Sequence, residues 1–125
     1  MIKVGDFMTR ELVTVKETDD LALAESILRL GGIRHLPVVR EGRLAGLLTQ
    51  RDLLRAGARG AAARAVLAQD VMTREPTTVA PESSLAQAAR LMLRHKYGRL
   101  PVCERDGTPV GIITESDLVR PAADA

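Results

Sequence analysis

The chain repeats itself, and no other feature constrains its fold as strongly. Asp6-Phe7-Met8-Thr9-Arg10-Glu11 returns as Asp70-Val71-Met72-Thr73-Arg74-Glu75, an offset of 64 residues. The same offset pairs Thr14-Val15 with Thr78-Val79, Leu21-Ala22 with Leu85-Ala86, and Leu36-Pro37-Val38 with Leu100-Pro101-Val102. The second copy then gains one residue, Arg105-Asp106-Gly107 against Glu41-Gly42, and the offset becomes 65. It now pairs Gly46-Leu47-Leu48-Thr49-Gln50-Arg51-Asp52-Leu53 with Gly111-Ile112-Ile113-Thr114-Glu115-Ser116-Asp117-Leu118. Five matches in register, with the indel at a turn, describe a duplication. The 125 residues suit one ordinary domain. A half of about 50 residues cannot cover both faces of a sheet, so the halves must pack together.

Each copy reads as β-α-β-β-α. An extended piece, Val13-Thr14-Val15 or Thr77-Thr78-Val79, leads into a helix. Leu21, Ala24 and Leu28, and Leu85, Ala88 and Met92, recur at i, i+3, i+7 and define its buried stripe. Asp19 and Ser83 are the expected caps. Gly31-Gly32 ends the first helix; the second lacks that glycine and is predicted to run to about Lys96. Two strands follow, opening on Pro37 and on Pro101, where a strand tolerates proline. A glycine turn joins each to a return strand, Leu44 to Leu48 or Val110 to Ile113. Short helices, Arg51 to Arg55 and Ser116 to Val119, close the copies. The boundaries are 4–56 for the first copy, 57–68 for a linker and 69–121 for the second. The Ala-, Gly- and Arg-rich stretch from Ala56 to Arg64 reads as a loop passing into a surface helix. The fold class is α/β (α+β), two such repeats packed with pseudo-two-fold symmetry.

Composition narrows the function. Lys and Arg number 18 against 16 Asp and Glu, a net charge of +2, short of the clustered excess of nucleic-acid proteins. Arg51, Arg55, Arg59, Arg64 and Arg74 form a basic strip, but Asp52, Asp70 and Glu75 interrupt it and a solvated face is the commoner outcome. Phe7 and Tyr97 are the only aromatics, which excludes a base-stacking platform. Cys103 stands alone, so no intrachain disulfide forms and a cytoplasmic, reducing compartment is expected. It aligns with Val39 and reads as a buried strand residue. No apolar run is long enough for a membrane helix, and Met1 to Asp6 show no signal-peptide core. No Cys/His cluster has zinc spacing, no Walker or Gly-x-Gly-x-x-Gly loop occurs, and Ser83, Ser84 and Ser116 lack an ordered His and acid. The expectation is a protein without catalytic activity or catalytic cofactor.

Three motifs, in order and twice over, resemble the cystathionine-β-synthase (CBS) domain: Asp-x-Met-Thr, Leu-Pro-Val and Gly-x-x-Thr-x-x-Asp. The chain looks like one tandem CBS pair without an appended enzyme. The resemblance implies a regulatory module whose cleft between repeats binds an adenine-containing ligand: AMP, ADP, ATP or S-adenosylmethionine. It also implies association into disc-like homodimers and a protein partner that reads the bound state. Mg²⁺ would enter only through the phosphates of ATP. The alternative is a structural dimerisation or partner-binding module without ligand.

The last motif has two physical readings. Thr49 with Asp52, and Thr114 with Asp117, suit a capping box, in which the hydroxyl takes the N3 amide and the acid reaches back. The resemblance instead places each carboxylate on ribose hydroxyls and each Thr by ribose or phosphate. It further implies that each site joins the Thr and Asp of one repeat to the early strand and proline segment of the other. Thr49, Arg51 and Asp52 would then meet Thr78 and Tyr97, Gly98, Arg99, Leu100 and Pro101. Thr114, Ser116 and Asp117 would meet Thr14 and Ile33, Arg34, His35, Leu36 and Pro37. Tyr97 is placed to stack on a base and Ile33 to sandwich one; a plain surface aromatic after a helix is the other reading of Tyr97. Arg51 offers a phosphate fork where Ser116 offers one hydroxyl, so the first site is expected to prefer the more phosphorylated ligand.

Overall fold

The structure is a computed structural model that describes residues 1–57 and 61–124, and the side chains of all of these except 61 and 120–124. Arg59, part of the basic strip, lies outside the described residues. In chain order the elements are α1 (Val4–Phe7), β1 (Val15–Lys16), α2 (Leu21–Gly31), β2 (His35–Arg40), β3 (Arg43–Thr49), α3 (Gln50–Ala56), α4 (Ala61–Arg64), α5 (Ala68–Val71), β4 (Thr73–Arg74), α6 (Leu85–His95), β5 (Arg99–Cys103), β6 (Pro109–Thr114) and α7 (Glu115–Asp124). They divide into two compact units, residues 1–12 with 77–125, and residues 13–76.

In the unit of residues 13–76, β1 runs parallel to β2, β2 antiparallel to β3, and β3 antiparallel to β4. In the other unit, β5 and β6 form the central hairpin. Val79 bridges Val102 in parallel, and Thr9 bridges Ile112 antiparallel. The two arrangements match strand for strand. Thr9 is the repeat equivalent of Thr73, yet it sits with the hairpin of the second copy. The opening segment of each copy therefore closes the sheet of the unit built on the other copy.

Apolar spacing explains the cores. Leu21, Ala24 and Leu28 of α2 are buried, as are Leu85, Ala88 and Met92 of α6, as the stripes predict. In one unit Val15, Ala24, Leu28, Leu36, Val38, Leu48, Ala68 and Met72 pack together. In the other the cluster is Val79, Leu85, Ala88, Met92, Leu100, Val102 and Ile113, completed by Val4 and Met8 from the N-terminus. Ala63 of α4 is also buried, so that helix is not the purely surface element expected from its composition.

Three local expectations need correction. The helix caps are Asp20 and Ser84, one residue later than expected: Asp20 Oδ1 accepts from Leu23 N at 2.9 Å and Ser84 Oγ from Gln87 N at 3.0 Å. Asp19 and Ser83 shape the preceding turn, accepting from Lys16 N at 2.8 Å and Ala80 N at 3.1 Å. Where two acceptors stand side by side, they divide the turn and the cap between them. Pro37 and Pro101 are third, not first, in β2 and β5. Pro101 O accepts from Val79 N at 3.1 Å, so its nitrogen faces the same side, where the parallel ladder has only begun and no donor is missed. The closing helix of the second copy runs on to Asp124, whereas α3 stops at Gly57 with φ of 68°.

Candidate functional site

Thr49 ends β3 and caps α3. Its amide donates to Asp52 Oδ2 at 2.9 Å, its hydroxyl donates to the same oxygen at 3.1 Å, and Asp52 N donates back to Thr49 Oγ1 at 3.2 Å. Thr114 and Asp117 reproduce the arrangement at 2.8, 3.0 and 3.4 Å. The capping box is therefore real. Asp52 and Asp117, 8% and 7% exposed, are the buried charged side chains among the described residues. The box alone leaves something over. Every hydrogen bond given to Asp52 within the described residues goes to Oδ2, so Oδ1 keeps its full accepting capacity. A rigidly held, half-used carboxylate is a suitable acceptor for a pair of hydroxyls.

The glycine of the same motif is tied to the Asp-x-Met-Thr segment. A Cβ on Gly46 would lie 2.6 Å from Met72 Sδ and from Thr73 O; on Gly111 it would lie 2.7 Å from Met8 Sδ and from Thr9 O. Only glycine permits this backbone approach. Each opening segment thus seats a methionine against the strand that ends in a Thr–Asp turn. The sequence shows both motifs but not that one requires the other.

The remaining candidates fall into distinct positions. His35 pairs with Thr49 across the β2–β3 ladder, and Arg99 with Thr114 across β5–β6, so each Thr–Asp turn has a basic residue opposite it. Gly98 O accepts from Glu115 N at 3.0 Å, which fixes the residue before Arg99 to the start of α7. Leu36, Pro37, Leu100 and Pro101 are buried strand residues, so the side chains of Leu36 and Leu100 serve the cores. Ile33 is half-buried against a core, while Arg34, Arg51 and Ser116 are exposed. Thr14 and Thr78 are exposed just before Val15 and Val79.

Tyr97 is 44% exposed, and its ring stacks on His95 at 5.2 Å between centroids and 15° between planes. Residues two apart on a regular helix do not face each other, so the sequence carries no sign of this contact. They do so here because Lys96 adopts a left-handed conformation, φ 57°, at the end of α6. Lys96 occupies the repeat position of Gly32, φ 61°, which ends α2 in the same way. Among the described residues, no three His, Cys, Asp or Glu gather as metal ligands. Burial pushes the Cys103 thiol up to about 11. No described helix is long and apolar enough to cross a membrane.

The model of the CBS domain family matches residues 4–59 and 68–124, nearly the whole chain. The chain belongs to the CBS domain family. It is 34% identical over 119 residues to the CBS domain-containing protein YhcV of Bacillus subtilis, covering 94% of this chain and 84% of that protein. It is also 34% identical over 116 residues to an inosine-5'-monophosphate dehydrogenase of Korarchaeum cryptofilum. That match covers 93% of this chain and 23% of the enzyme, so the chain spans about a quarter of that relative. Among solved structures, CBSX2 of Arabidopsis thaliana in complex with AMP superposes with a TM-score of 0.86 at 32% identity, covering 99% of this chain and 98% of that one. The cytosolic domain of the Mg²⁺ channel MgtE in complex with ATP gives 0.82 at 31%, over 94% and 48%. The CBS pair of protein MJ0100 with 5'-methylthioadenosine and S-adenosyl-L-methionine gives 0.83 at 26%, over 99% and 98%. The fold is that of a CBS pair.

Proposed function

We propose that the chain is a regulatory module that binds an adenine-containing ligand, AMP, ADP, ATP or S-adenosylmethionine, and catalyses nothing itself. The observation that carries this reading is the pair of Thr–Asp turns, in which a buried carboxylate is held rigidly by its own threonine and, at Asp52, keeps one oxygen for ribose hydroxyls. Complexes of similar CBS-pair structures with AMP, ATP and S-adenosyl-L-methionine support the ligand class. In this proposal Thr49, Arg51 and Asp52 act with Thr78 and residues 97–101. Thr114, Ser116 and Asp117 act with Thr14 and residues 33–37. Mg²⁺ accompanies ATP only through its phosphates. The module works in a reducing compartment, as a homodimer whose geometry a protein partner reads. Ligand biases that geometry only if it binds two states with different affinity.

A thermal-shift panel of the four ligands tests the reading. A ligand at 100 times its Kd stabilises by about 2.7 kcal/mol, roughly 10 °C for a chain of this size. Titration calorimetry of Asp52→Ala and of Asp117→Ala is expected to lose one site each, with circular dichroism confirming that the variants fold. Tyr97→Ala is expected to weaken the site that Asp52→Ala removes. No stabilisation by any ligand, or undiminished binding in the Asp52→Ala/Asp117→Ala double variant, overturns the proposal and leaves the ligand-free partner module.

A further inference from the structure

The helices α2 and α6 end in the same turn, and only the second turn carries two rings. Gly32, φ 61°, and Lys96, φ 57°, take the left-handed conformation after the last helical residue. Ile33 N donates to Leu28 O at 3.1 Å and Tyr97 N to Met92 O at 3.0 Å, the bond that closes a Schellman turn. This turn brings together the residues on either side of the left-handed position. In the first copy they are Gly31 and Ile33, and a Cβ on Gly31 would lie 3.0 Å from Ile33 Cδ1. In the second they are His95 and Tyr97, whose rings stack. The backbone of the turn therefore sets the stack. His95 is exposed, so packing in the core does not explain its place.

We infer that His95 is a positioning residue for ligand: it covers one face of the Tyr97 ring and holds the other face ready for a base. This rests on the reading above in which Tyr97 stacks on an adenine. A side chain that becomes ordered only on binding gives up rotamer freedom at that moment, which weakens binding. Tyr97 is 44% exposed, so the residue keeps open surface, while the imidazole beside it restricts the ring before any ligand arrives. The planes lie within 15° of parallel, so a base on the free face continues the same stack. Gly31 and Ile33 offer no ring at the equivalent place, so the effect belongs to the site containing Tyr97 and not to the other.

Tyr97 is the only tyrosine and the chain has no tryptophan, so intrinsic fluorescence reports on this ring alone. In ligand-free protein, His95→Ala is expected to lower the anisotropy of Tyr97 emission and His95→Phe to keep it. Titration calorimetry with each of AMP, ADP, ATP and S-adenosylmethionine then separates the sites. In an Asp117→Ala background, which keeps the site containing Tyr97, His95→Ala is expected to raise Kd about three- to tenfold and His95→Phe to restore it. In an Asp52→Ala background, His95→Ala is expected to leave Kd unchanged. Unchanged anisotropy in His95→Ala overturns the inference, and so does an unchanged Kd once the ring is freed. An equal loss in both backgrounds, or no rescue by His95→Phe, overturns it as well, because the effect is then not a stack on Tyr97. Absence of binding by all four ligands to the unmodified protein overturns the ligand reading itself, and this inference with it, whatever the anisotropy shows.

Discussion

Lys96 shows how a single residue can be held against its own preference. A left-handed conformation costs a residue with a Cβ roughly 1–2 kcal/mol, and Gly32 carries the same turn freely in the other copy. Lys96→Gly is expected to raise stability by about 0.5–1 kcal/mol, after the entropy that glycine adds to the unfolded chain, as read by urea unfolding. Cys103 is the opposite case, a residue whose environment silences it. With its thiol near 11, about one molecule in a thousand is ionised at pH 8. Alkylation of the native protein is expected to run roughly a hundredfold slower than for a thiol at the usual 9.0. The folded state holds this proton more tightly than the unfolded chain. The resulting stability is complete below pH 9 and is lost as pH rises from 9 towards 11. Cys103→Val is expected to flatten that alkaline decline in thermal melts across the range.

At the scale of elements, the strand that ends in each Thr–Asp turn depends on a segment far away in sequence. The Cβ of Gly111→Ala would meet Thr9 O, which is backbone, as well as Met8 Sδ. The sheet edge must shift, and a loss of about 1–3 kcal/mol is expected by chemical denaturation. Gly46→Ala is expected to cost a similar amount through Met72 and Thr73. Much of this level was legible in advance. The periodicity of Leu21, Ala24 and Leu28 marked the helix face, and Thr49 with Asp52 announced a capping box. The caps themselves fell one residue away because Asp19-Asp20 and Ser83-Ser84 each offer two adjacent acceptors, and local sequence does not say which one the turn uses. The prolines were misplaced within their strands for a related reason. Whether a missing N–H matters depends on where the neighbouring ladder begins, and that neighbour is set by tertiary pairing.

For the whole molecule, the exchange of opening segments has a direct consequence. Removing residues 1–12 takes Val4 and Met8 from a core and the Thr9 edge from a sheet, all in the unit formed with residues 77–125. Hydrogen exchange of the truncated chain is expected to lose protection first on β5 and β6, which lie in the second copy, and not on the first-copy strands to which residues 1–12 are nearest in sequence. By itself the sequence determined that two copies exist, which positions face their cores, and where a paired Thr and Asp recur, because these depend on periodicity and short-range spacing. Only the tertiary structure decided which copy each Asp-x-Met-Thr segment joins, why the motif glycines cannot be alanine, and that His95 meets Tyr97. Each of those turns on backbone approaching backbone across a long loop or on a strained turn, and neither distance nor φ is written in the order of residues.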